Sequence, residues 1–422
     1  MTGLSRRRFL RVAAGTGATV VLSAAAGTAR AEPGPRALRV YVLVVDGLRA
    51  DEIDPVLTPN LHELRANGTN FPAARSLAVA ETIPNHVMMM TGMRSDRTGV
   101  PANSVYDQAH RRVRTLDQPA DLRAPTLLDR LAATGRVTGS VLSKEYLYGI
   151  FGERASVRWE PFPILPVTGH APDLATVDAL LAMVGESDPD LVFANFGDVD
   201  RVGHADLTGT TLRAARTAAL WSADLQVGRF VTELKGSGRW LSSVLVVLAD
   251  HSMDWSLPHR VVSLRSRVDN DPALAGKVEI AQNGGADLLA FTGPEAERPA
   301  AVARLRALAL GTEGVLSAHA PPELRLGPEA GDLVVFCRAG WRFTDPTVWS
   351  NPIPGNHGHP ATEPIPFFVA GGHPSVRAGV TSAAQARTVD VAPTVGALFG
   401  LPAPEGGYDG TARLEPFASR PQ

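Results

Sequence analysis

Along this chain, apolar runs of strand length alternate with longer stretches in which apolar residues recur every three or four positions. Leu38-Arg39-Val40-Tyr41-Val42-Leu43-Val44-Val45 is almost continuously apolar and stops on Asp46-Gly47. Similar runs occur at Val137–Leu142, Leu191–Phe196 and Ser243–Leu248, each preceded by a helix-like segment such as Thr126–Thr134 or Leu212–Leu234. A strand that is apolar at every position, rather than at every second one, has both faces covered, which is the habit of parallel sheets. The repeated strand–helix–strand rhythm therefore predicts an α/β fold: a mostly parallel sheet covered by helices on both faces. In such sheets functional groups gather beyond the carboxyl ends of the strands. Asp46, Asp198, Asp200, Asp250 and His251 all stand just after such runs. Between about residues 255 and 350 the rhythm breaks into Pro- and Gly-rich turns, with a helical stretch at Arg298–Leu310 and a strand-like Asp332–Cys337. This segment reads as a small inserted α+β subdomain.

The N-terminus is of another kind. Ser5-Arg6-Arg7-Arg8-Phe9-Leu10-Arg11 leads into an apolar run from Val12 to Ala26 and then Ala29-Arg30-Ala31. Paired arginines, a short apolar stretch and a small-residue cleavage site make residues 1–31 a twin-arginine-type signal peptide, with the mature domain expected at 32–422. Export of an already folded protein is expected, to an extracellular, periplasmic or cell-surface location. No stretch is expected to span a bilayer. Over 422 residues, 41 Lys and Arg balance 43 Asp and Glu, which excludes binding of a nucleic-acid polymer by bulk charge. Cys337 is the single cysteine, so there is no intramolecular disulfide and no cysteine metal cage. Any metal must rest on histidine and carboxylate.

Three histidines are placed for that: Asp200-Arg201-Val202-Gly203-His204, Asp250-His251 and Gly355-Asn356-His357-Gly358. With Asp46 they make three carboxylates and three imidazoles, enough for two ions. Mixed oxygen and nitrogen donors suit Zn²⁺ or Mn²⁺ better than Ca²⁺, which takes oxygen alone. Asp198 and His359 stand near enough in sequence to be rival ligands for Asp200 and His357. Thr82, in Glu81-Thr82-Ile83-Pro84-Asn85-His86, precedes a helix-like run, and a helix N-terminus offers free N–H groups and a positive dipole end to a phosphate.

These stretches resemble, in order and spacing, the type I phosphodiesterase and nucleotide pyrophosphatase branch of the alkaline phosphatase superfamily. The resemblance rests on Val45-Asp46-Gly47-Leu48-Arg49-Ala50-Asp51, Thr58-Pro59-Asn60-Leu61, Thr82 to His86, Thr91-Gly92, Asn103 with Tyr106-Asp107, Asp200 to His204, Asp250-His251, Asn356-His357-Gly358 and Thr388 to Thr394. It implies an alkaline-phosphatase-like fold and an exported, two-zinc phosphoric diester hydrolase acting on a small-molecule diester. On this resemblance Asp200, His204 and His357 hold one zinc and Asp46, Asp250 and His251 the other. Thr82 contacts the second zinc and becomes a phosphothreonine, and Asn103 donates to a non-bridging phosphoryl oxygen. Phosphomonoester or phosphonate hydrolysis on the same site is the alternative, and a non-catalytic phosphate-ester binder the alternative outside enzymes. The chain departs from the family pattern at Ile83, where nucleotide-cleaving relatives carry an aromatic residue, at Ser252, and at Ala205-Asp206-Leu207 after His204.

Overall fold

The computed structural model describes residues 38–418 apart from 167, 210 and 345–353. The signal-peptide expectation for residues 1–31 lies outside the described residues. Eight strands form the main sheet: β1 (Arg39–Val45), β2 (Thr69–Asn70), β3 (Thr138–Leu142), β4 (Val157–Trp159), β5 (Leu191–Phe196), β6 (Ser243–Leu248), β7 (Phe367–Ala370) and β8 (Val380–Thr381). Their order is β8-β2-β7-β6-β1-β5-β3-β4. All neighbours pair in parallel except β7, which runs against both β6 and β2. The mostly parallel α/β architecture expected from the rhythm is the observed one.

The centre of the sheet is dry. Val40 to Val45, Leu191 to Phe196 and Val244 to Leu248 are buried at every position. Burying a Val, Leu or Phe side chain is worth about 1.5–3 kcal/mol, so these three strands form the rigid floor that fixes whatever follows them. Helices α1 (Thr82–Thr91), α2 (Glu145–Phe151), α3 (Asp173–Ser187), α4 (Asp198–Ala205) and α5 (Ala214–Gly236) lie around it. α1 is buried along its whole length, Met88 to Met90 included, and ends on Gly92 in the left-handed conformation.

A separate antiparallel sheet is built from Val278–Asn283, Ala286–Phe291, Leu333–Cys337 and Val315–His319, in that order. The helix Arg298–Leu310 and a second apolar cluster, including Leu289, Phe291, Leu305, Val335 and Phe343, complete it. Phe343 belongs to that cluster, with Trp341 packed against it. Beside this sheet, Asn283 Oδ1 accepts from Ser104 N at 2.8 Å and Gly285 N donates to His357 O at 2.6 Å.

Candidate active site

The site forms where β1, β3, β5 and β6 end. Asp46 follows β1, Lys144 follows β3, Asp200 lies in the first turn of α4 after β5, and Asp250 and His251 follow β6. Gly47 turns the chain away from β1 with φ +71°, and a Cβ there would meet the Asp200 Cβ at 3.1 Å. Glycine thus lets Asp46 and Asp200 approach. Across the site, α1 supplies Thr82 at its first residue, and the short strand Gly355–Asn356, paired with Asp254–Trp255, delivers His357.

Each buried aspartate has one oxygen anchored and the other without a hydrogen-bond partner. Asp46 Oδ2 accepts from Asn195 Nδ2 at 2.9 Å and pairs with Lys144 Nζ at 2.8 Å, while Oδ1 is unpartnered. Asp200 Oδ2 accepts from Lys144 Nζ at 2.8 Å, with Oδ1 unpartnered. Asp250 Oδ1 accepts from Gly47 N at 3.1 Å and His251 N at 3.0 Å, with Oδ2 unpartnered. Three orphaned carboxylate oxygens in a buried space are costly unless a cation completes them.

The imidazoles are held in the complementary way. His204 Nδ1 lies 2.8 Å from Gly355 O, His251 Nδ1 3.0 Å from Ser252 O, and His357 Nδ1 3.0 Å from Glu81 Oε1 and 3.2 Å from Ala80 O. Each Nδ1–H is therefore spent on a carbonyl or carboxylate, which turns Nε2 inward. His204 Nε2 and His357 Nε2 converge to 3.0 Å, and His204 Nε2 is 3.3 Å from Asp200 Oδ1. Asp200, His251 and His357 close within 4.8 Å of one another, as do Asp46, Asp250 and His251. His251 lies between the two groups, its ring stacked on that of His357 at 3.7 Å. Each group offers carboxylate and imidazole donors to a cation.

Electrostatics follow from burial and from Lys144. Burial raises the Asp250 carboxyl, and the neighbouring Asp46 charge adds to that. Burial would raise Asp46 and Asp200 too, but Lys144 overrides it and holds both below the usual range. Burial lowers His251 and keeps its Nε2 lone pair free. For His357 burial also acts downward, yet the Glu81 carboxylate prevails and lifts it to about 9.

Thr82 Oγ1 lies 3.2 Å from His251 Nε2 and 3.5 Å from Lys144 Nζ. Asn103 sits just before a hairpin strand, accepts from Ile83 N at 2.7 Å through Oδ1, and donates through Nδ2 to Glu81 Oε2. The structure thus brings together Asp46, Thr82, Asn103, Asp200, His204, Asp250, His251 and His357. It leaves the two rival ligands apart. Asp198 is engaged by His170 Nε2 at 2.7 Å and Asp173 N at 3.1 Å, and His359 Nε2 faces Asp254 Oδ2 at 3.3 Å.

Sequence reasoning passed over Lys144, Glu81, Asn195 and Arg201. Lys144 was within reach of it, because it follows the run Val137–Leu142 as Asp46 follows the first run. His86 connects the layers, with Nδ1 2.8 Å from Thr82 O and Nε2 2.9 Å from Asn195 Nδ2, which itself holds Asp46.

Comparison with known proteins agrees with this fold. The murine ectonucleotide pyrophosphatase/phosphodiesterase 5 superposes with a TM-score of 0.74 at 18% identity, over 88% of this chain and 97% of that one. An inactive threonine-to-alanine variant of the murine protein, in complex with AMP, gives a TM-score of 0.74 at 17% identity, over 90% and 98% of the two chains. At these identities the likeness is one of fold. The Bos taurus bis(5'-adenosyl)-triphosphatase is 21% identical over 238 residues, 55% of this chain and 51% of the relative. The chain spans about half the length of such curated relatives. A family model described as type I phosphodiesterase / nucleotide pyrophosphatase matches residues 40–360, which contain every member of the cluster, and the chain belongs to that family.

Proposed function

We propose that this chain is an exported hydrolase of phosphoric diesters that uses Thr82 as nucleophile at a two-zinc site. One observation carries the reading: a buried threonine hydroxyl at the first residue of a helix, 3.2 Å from His251 Nε2 and flanked by two carboxylate–imidazole groups. The unpartnered oxygens of Asp46, Asp200 and Asp250 support metal ligation. Asp200, His204 and His357 would hold one ion and Asp46, Asp250 and His251 the other, with Thr82 beside the second. When bound, zinc supplies a Lewis acid that lowers the pKa of a neighbouring hydroxyl and stabilises charge on the attacking and leaving oxygens.

The rest falls to the protein's own groups. Thr82 Oγ forms a bond to phosphorus as the bond to the leaving oxygen breaks, giving phosphothreonine and releasing the alcohol or phosphate product. Water then attacks the same phosphorus, breaks the P–Oγ bond and returns the proton to Thr82. The α1 N-terminus directs its positive dipole end at Oγ as charge develops there. Asn103, fixed by Ile83 N–H, offers its Nδ2 to a non-bridging phosphoryl oxygen, a neutral donor suited to the single charge of a diester. The named relatives cleave or bind nucleotides, which favours a small nucleotide-like diester as substrate. Ile83, in place of an aromatic residue, favours weak base recognition. Among the described residues no helix is long and apolar enough to cross a membrane. The Arg6-Arg7-Arg8-Phe9-Leu10 leader supports export in the folded state.

The test is the ratio of kcat/KM for bis-p-nitrophenyl phosphate over p-nitrophenyl phosphate, with zinc-loaded protein. A ratio well above one is expected. A ratio well below one would favour phosphomonoester hydrolysis, the second reading, which gains support from the Lys144 ammonium 3.5 Å from Thr82 Oγ1. For the ligand assignment, His357→Ala is expected to lower zinc below two ions per chain by metal analysis, while His359→Ala leaves it unchanged. The reverse pattern would exchange their roles.

A further inference from the structure

Beside Thr82 the site carries more positive charge than holding two aspartates requires. Arg201 lies one residue beyond Asp200 on α4, half-buried, with its Nη2 3.2 Å from the Tyr146 hydroxyl. Its buried Nε has no hydrogen-bond partner, and among the described residues no carboxylate lies within ion-pair distance of the guanidinium. Tyr146 joins the two cations: the Arg201 guanidinium is 5.5 Å and the Lys144 ammonium 5.8 Å from its ring centre. Lys144 in turn reaches to 3.5 Å from Thr82 Oγ1. Arg201, Tyr146 and Lys144 thus form one contiguous set that reaches the nucleophile through Lys144. Leaving a buried guanidinium N–H unpaired is costly, and an incoming anion would remove that cost.

We infer that Arg201, with Lys144 and Tyr146, forms a subsite for a second negative charge adjoining the phosphoryl group that Thr82 attacks. This inference deepens the phosphoester reading and rests on it. The geometry assigns Arg201 as a specificity-determining residue, and it makes a singly charged diester such as bis-p-nitrophenyl phosphate a substrate that leaves the subsite empty. The added charge can lie on the phosphoryl group itself, as in a monoester dianion, or on the next phosphoryl group of an anhydride-linked diester. Guanidinium serves both, since it pairs with phosphoryl oxygens through two parallel N–H donors.

The experiment compares wild type and Arg201→Gln, both zinc-loaded, on bis-p-nitrophenyl phosphate, p-nitrophenyl phosphate and diadenosine pyrophosphate. The variant should lose at least about tenfold in kcat/KM on p-nitrophenyl phosphate, on diadenosine pyrophosphate or on both, relative to bis-p-nitrophenyl phosphate, mainly through KM. Which substrate loses identifies where the charge sits. Equal losses on all three, or no loss, would overturn the inference. Calorimetric binding of phenylphosphonate and of its monomethyl ester keeps the subsite separable from the catalytic reading. If no ester is turned over but the dianion binds more tightly and Arg201→Gln removes that preference, the subsite stands and the hydrolase reading falls. If wild type binds the two alike and Arg201→Gln loses nothing on diadenosine pyrophosphate, the subsite falls.

Discussion

Thr82→Ala is expected to lower kcat on a phosphoric diester by on the order of 10⁴-fold while leaving the fold and the metal content unchanged. The size follows from the role: an alanine methyl cannot form the phosphoryl bond, and what survives is binding and charge stabilisation without covalent catalysis. The fold should not suffer, because the hydroxyl makes no helix-capping bond. The residue preceding α1 is Glu81, and Asn85 secures this corner through its own bonds to Leu77, Val79 and Glu81. Steady-state rates, circular dichroism and zinc analysis on the same preparations check it. A variant that kept a tenth of the wild-type rate would remove Thr82 from the chemistry.

Arg216→Met should destabilise the protein by about 3–5 kcal/mol in denaturant unfolding. Arg216 is fully buried; its Nε and Nη2 bind the two Glu52 oxygens at 2.7 and 2.6 Å, while Nη2 and Nη1 donate to Gly47 O at 2.7 Å and Val199 O at 2.9 Å. Methionine fills the space but takes the counter-charge from a buried carboxylate, leaving it only the bond from Arg49 N, and removes a donor from each of two carbonyls, which is the expensive way to break an ion pair. Those carbonyls flank Asp46 and Asp200, so metal affinity should fall with stability. A loss below about 1 kcal/mol would mean that water or a neighbour replaces the guanidinium. Adding Glu52→Gln to the variant should recover part of the loss.

The legible part of the molecule is the part written in local pattern. Val40 to Val45, Leu191 to Phe196 and Val244 to Leu248 announce themselves as strands buried on both faces, and the rule that sites gather at strand ends then marks Asp46, Asp200 and Asp250. The opposite direction of Phe367–Ala370 was not legible, because an all-apolar run reads the same both ways. The supporting charges were hidden for a different reason. Lys144 meets Asp200 across 56 residues and Arg216 meets Glu52 across 164, and nothing in the local pattern around a lysine or arginine tells a buried pair from a solvated side chain. Arg216 lies on the long helix α5, among positions where an exposed arginine would be ordinary. Glu81 looked like a residue before a helix, and only the fold places its carboxylate between His357 and Asn103.

The central claim is a covalent relay through Thr82, and the stereochemistry at phosphorus tests it most directly. A diester made chiral at phosphorus with sulfur, hydrolysed by the zinc-loaded protein in ¹⁸O-labelled water, should give product with overall retention of configuration. Two in-line displacements, first by Thr82 Oγ and then by water, each invert the centre. Inversion would mean a single direct attack by water and would contradict the phosphothreonine account.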